Sequence, residues 1–113
     1  MPRTALTVTE ISRTGVARPS QEVGDVANGN SITGNDGRVF LEVTNDDAAT
    51  QTVTIQTPGT IDGLAIADLV VSLAAAAVKL IGPLSPTTFN QSDGLVYVDP
   101  SDADLKFRVY KLP

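Results

Sequence analysis

Carboxylates are the only plentiful acid–base groups in this 113-residue chain, with ten Asp and three Glu against no His and no Cys. Asp46 and Asp47 are adjacent, and Asp99, Asp102 and Asp104 follow one another closely. Two carboxylates facing each other across a cleft can hydrolyse a glycosidic bond. A sugar site also needs aromatic platforms, and the chain offers only Phe40, Phe89, Phe107, Tyr97 and Tyr110, with no Trp. Asp99-Pro100-Ser101-Asp102-Ala103-Asp104 could turn oxygens toward Ca²⁺, but its spacing departs from the D-x-[DN]-x-[DN]-G loop. Asn35-Asp36-Gly37 resembles that loop even less. Asp-rich stretches of this length close turns through local side-chain hydrogen bonds, and that is the role expected of them here. No catalytic, cofactor-binding or metal-binding residue is assigned, and no cofactor is expected.

The missing residue types exclude further chemistry. Without His there is no Ser-His-Asp triad and no imidazole ligand. Without Cys there is no disulfide, thiol nucleophile or Cys-type zinc site. Neither G-x-x-x-x-G-K-[ST] nor G-x-G-x-x-G occurs, so phosphate cradling is unsupported. A non-enzymatic role is expected. The net charge of −5 and a pI near 4.4 argue against nucleic-acid binding, which rests on neutralising phosphates. The longest apolar stretch, residues 69–77, is broken by Ser72 and is shorter than the roughly 20 residues of a membrane span. No charged segment followed by an apolar one opens the chain, which suggests synthesis in the cytoplasm without membrane partners. Asn90-Gln91-Ser92 fits a glycosylation triplet, but no secretory signal accompanies it.

The elements that must position these residues read as strands. Thr and Val are abundant, while Glu and Lys number three each; the first pair favours strands and the second helices. Nine Gly and seven Pro supply turns. Alternation predicts strands at residues 4–11, 38–44, 50–57, 95–99 and 105–112, with a short one near 23–27 inside an otherwise irregular stretch from 12 to 37. Residues 38–44 and 50–57 flank the polar loop Asn45-Asp46-Asp47-Ala48-Ala49 and predict a β-hairpin or a sandwich-edge pair. Residues 64–81 are ambiguous. Ala74-Ala75-Ala76-Ala77 favours a helix over 65–80, yet the apolar positions run all the way round and leave no stripe. Two strands joined at the Ala run are expected, with a short helix as the alternative. One β-sandwich domain over residues 1–113, of about six to eight strands, accounts for the whole pattern.

Residues 1–18 carry three of the five Arg. Residues 1–12 are either the first strand or an extended arm for a partner's sheet edge. In the second case Arg3, Leu6, Val8 and Arg13 would make the contact, and deleting 1–12 would leave a folded core.

The run Val53-Thr54-Ile55-Gln56-Thr57-Pro58-Gly59, continuing to Asp68, resembles small virion proteins encoded with the capsid genes of tailed bacteriophages. Leu80-Ile81-Gly82-Pro83-Leu84, Phe89-Asn90-Gln91, Asp93-Gly94-Leu95-Val96-Tyr97-Val98-Asp99 and the opening Pro2-Arg3-Thr4-Ala5-Leu6-Thr7-Val8 resemble them too. In that family a strand, a Gly-containing turn and a strand follow the position of Asp68; this chain has the Ala run where the family has its Gly turn. The resemblance implies an immunoglobulin-like sandwich and a head decoration, or cement, role on the capsid exterior. The partner would be the major capsid protein, with a homotrimer or other homo-oligomer on the shell. A tail or head–tail connector protein and a host-surface or glycan-binding module are the alternatives.

Overall fold

The computed structural model describes residues 2–113; Met1, the first residue of the segment read as a first strand or an arm, lies outside them. One sheet runs in the order β1 (Thr4–Ala5), β4 (Asn30–Ile32), β11 (Val96–Pro100), β6 (Gln51–Ile55), β9 (Leu69–Leu73). The other runs β10 (Val78–Ile81), β5 (Val39–Asn45), β12 (Leu105–Lys111), β2 (Val8–Glu10). β3 (Glu22–Val23) also pairs with β12, ahead of β2 along that strand. β7 (Thr60–Ile61) and β8 (Leu64–Ala65) form a separate hairpin, and α1 (Pro86–Phe89) is a single helical turn.

Period-two alternation decides what fills the sandwich. Val39, Leu41 and Val43 of β5 meet Leu105, Phe107 and Val109 of β12 on one inner face, and all six are fully buried. Val53, Ile55, Val96 and Val98 line the opposite face, also without exposure. Each such side chain contributes roughly 1.5–3 kcal/mol by leaving water. The fold is therefore the all-β sandwich expected, and eight of its strands span three residues or more.

Several expectations need correcting. Residues 38–44 and 50–57 do not pair: β5 and β6 lie in different sheets, and the loop between them crosses the sandwich. β9 to β10 and β11 to β12 cross likewise. The Ala run does form the expected turn between two strands, and the one helical turn among the described residues lies at Pro86–Phe89, outside that segment. Asn45 explains the turn. Its buried Nδ2 donates to the carbonyls of Leu73 at 3.0 Å, Ala74 at 3.2 Å and Ala49 at 3.0 Å. Its backbone N–H donates to the Ala77 carbonyl and its carbonyl accepts from Ala76. Ala76 is held at φ +63°, in the left-handed region.

Within the stretch expected to be mostly surface excursion, Asn30, Ser31 and Ile32 are buried and central to a sheet. Asp62-Gly63, both at positive φ (+52° and +77°), close the β7–β8 hairpin that alternation did not reveal.

Residues 4–5 and 8–10 are strands of the fold. The chain leaves one sheet after β1 and enters the other at β2, with Leu6 buried at the crossing. Thr7 N–H donates to Glu22 Oε1 at 2.6 Å, and Thr4 Oγ1 donates to Asp25 Oδ2 at 2.6 Å.

Candidate docking surface

The four residues first considered for contact with a partner have separate fates. Leu6 packs in the core, and Val8 is half-buried against it. Arg13 stands exposed in the turn after β2. Arg3 is bound into its own sheet. Its Nη1 donates to Asp99 Oδ1 at 2.5 Å and to the Asn30 carbonyl at 3.2 Å, and its guanidinium lies 4.1 Å from the centre of the Tyr97 ring. Gly29 makes room for this: a Cβ there would fall 2.2 Å from Arg3 Nη1 and 2.6 Å from Asp99 Oδ1. Gln56 Nε2 donates to the other oxygen of Asp99 at 2.8 Å. Around Asp99 the outer face of this sheet is thus a closed polar network.

The opposite outer face has a similar knot. Glu42 Oε2 accepts from Arg108 Nη1 at 2.7 Å and from Arg18 Nη2. Burial pushes the Glu42 carboxyl up, but these two guanidiniums outweigh it and hold it below the ordinary glutamate range. Arg108 Nε also donates to the Pro19 carbonyl at 2.7 Å, so the knot fastens the loop after β2. The Arg38 guanidinium beside Asp36 holds that carboxyl far below its usual range. Asp93 is lowered by the hydroxyl of Tyr97, which donates to it at 2.6 Å, and the Tyr97 hydroxyl is raised in return.

The acidic turns do converge. Carboxylate oxygens of Asp47, Asp102 and Asp104 lie within 4.8 Å of one another. Two of them serve their own turns, Asp47 Oδ1 accepting from Ala48 and Asp102 Oδ1 from Asp104, while the Asp104 carboxylate faces Lys106 of β12 at 3.6 Å. This is turn closure of the kind expected of these residues, assembled from two loops.

What the spacing of chemical groups did not reveal is an apolar edge. β9 and β10 are each paired on one side only and border the same flank of the sandwich, one in each sheet. Val70 (57% exposed), Val78 (52%) and Leu80 (66%) point to solvent from them. Leu80 borders a hollow with Phe40 and Leu112, beside the stacked rings of Phe40 and Tyr110, whose centroids are 5.3 Å apart. Ile61 and Leu64 stand exposed on the β7–β8 hairpin that precedes β9. The signal was present in the sequence as the all-round apolar character of residues 64–81, which burial on one face alone does not require. Exposed apolar groups gathered along a free strand edge mark an interaction surface more than a catalytic one. Comparisons of the chain with protein-family models, with curated proteins and with solved structures return no match.

Proposed function

We propose that this is a structural virion protein that binds the outside of a bacteriophage capsid and stabilises it. The observation that carries the proposal is the division of the surface: carboxylates and guanidiniums are tied to one another in turns and knots, while β9 and β10 leave apolar side chains in water. A rigid sandwich with such an edge suits docking and offers no arrangement for turnover. The resemblance of the strand-and-turn pattern to small phage virion proteins supplies the particle. An immunoglobulin-like form belongs to the same proposal, supported by two mostly antiparallel sheets whose connections cross between them within about 100 residues. The major capsid protein is the partner, reached by a homotrimer or other homo-oligomer. The protein acts without enzymatic activity, nucleic acid or membrane, in the host cytoplasm during assembly and then on the capsid exterior.

A coat protein of this kind stabilises by linkage, because a ligand of the assembled shell alone favours assembly. Many symmetric sites let modest contacts suffice when the bound units are themselves joined. The test is cryo-microscopy of particles from the parent phage, with and without the protein. Density of this sandwich spread over the head surface, with earlier heat-induced DNA release when it is missing, is the expected result. A ring at a single vertex would assign it to the connector or tail. Binding of the isolated chain to host cells or glycans, with bare heads, would assign it to adhesion.

A further inference from the structure

Lys79 is the starting point. In register with Val43, it projects to the inner side of its sheet, yet it lies beyond the last covering strand and is exposed. There it borders an open hollow of about 350 Å³ between β9 and β10, with Leu69, Val71, Ile81, Leu84 and Phe89. The ion pairs among the described residues use Arg3, Arg18, Arg38, Lys106, Arg108 and Lys111, and Lys79 enters none of them. The flank therefore combines an unpaired strand edge, an apolar trough and one free ammonium.

An edge strand with unpaired N–H and C=O groups is a template for one more strand. Alternate side chains of an added strand would enter the trough, as period two requires. The free ammonium sets the charge of what fits, because a carboxylate there gains a partner and a cation is repelled. It also argues against a second copy of this chain. β10 is four residues long, so two-fold pairing of two such edges would bring both Lys79 ammoniums close together.

We propose that the seam between β9 and β10 takes an extended segment of a different protein, which adds as a strand to β10, places alternate apolar side chains in the trough and pairs a carboxylate with Lys79. This goes beyond the shell-binding proposal, since it concerns what the seam accepts whichever assembly the protein serves.

The full chain, isotope-labelled, can be titrated with two acetylated nonapeptides that alternate Val and Thr and differ only in a central Asp or Lys. Amide shifts should concentrate on β9, β10 and residues 82–89. The Asp peptide should bind roughly fivefold more tightly than the Lys peptide, the size expected of one half-exposed ion pair. Lys79→Glu should reverse that order, and Lys79→Met should abolish the preference while keeping the shifts. Shifts elsewhere, no shifts, or a preference indifferent to residue 79 would overturn the proposal and leave Lys79 as a guard against strand addition. Sedimentation showing that the free chain self-associates, with β10 amides protected from exchange, would seat a second copy in the seam and overturn it too.

Discussion

Asn45 holds more of this structure than any motif in the sequence suggests. One buried amide ties the β5–β6 crossing to the turn at the Ala run. Removing it takes the donor from three carbonyls, the buried one of Leu73 among them, so Asn45→Ala should cost about 2–3 kcal/mol in urea unfolding. Ala76 should respond in the opposite sense. An L residue in the left-handed region is strained and glycine is not, so Ala76→Gly should stabilise by about 1 kcal/mol, read as a higher urea midpoint. Glu42 brings a pH dependence. Its folded pKa lies below its unfolded value of about 4.3, so its contribution is present above that pH and is lost as pH falls through the folded value. Stability should therefore decline below about pH 4.5, and Glu42→Gln should both lower the neutral-pH midpoint and flatten the decline. None of these roles was legible beforehand. The partners of Asn45 at Leu73 and Ala74 lie far along the chain, and the sequence pattern marks position 45 only as the start of a polar loop.

At the scale of elements, legibility follows the source of the signal. β5 and β12 could be read from Val39, Leu41, Val43 and Leu105, Phe107, Val109, because the core imposes period two directly on them. Which strand pairs with which could not be read. A short polar loop serves a hairpin and a crossing between facing sheets equally well, and only the global packing chooses. β4 stayed hidden because Asn30 and Ser31 are polar yet buried: Asn30 Oδ1 accepts from Asp25 N–H at 2.9 Å, and the Ser31 carbonyl accepts from Leu6 N–H. The apolar flank was visible only as an ambiguity, since Leu69, Val70, Val78 and Leu80 spoiled a helical stripe without declaring a partner. The N-terminal strands give the sharpest consequence. Leu6 is a core residue at the switch between sheets, so Leu6→Ala should cost about 2–4 kcal/mol. Removal of residues 1–12 takes β1 and β2 with it, and the remaining chain should lose its cooperative thermal transition by circular dichroism. A loss of particle binding in such a deletion would then report unfolding rather than a lost arm.

The whole molecule is a sandwich with one flank left open. Two sheet edges lie on that flank, and their exposed apolar side chains stand at its rim beside the polar knots, Val70 on the outer face that carries Asp99 and Leu80 on the one that carries Glu42. Trimming the flank should separate binding from folding. Val70→Thr combined with Leu80→Thr exposes no core and keeps strand-forming residues, so the melting temperature should stay within a few degrees. If the protein coats a shell through this flank, its occupancy on particles should fall at least about tenfold in a co-sedimentation assay.

The side-by-side course of β2 and β12 has a mechanical meaning. The two strands run parallel, with Val8 beside Val109 and Lys111 beside Glu10. One lies near the start of the chain and the other near its end. A pull that separates the two ends drags these strands past each other lengthwise. The bonds between them must then break together instead of one after another. Stretched by its termini, the sandwich should resist as a clasp loaded in shear, with a single high rupture force in single-molecule pulling. Force applied across β9 and β10 instead would peel those edges open at a much lower value.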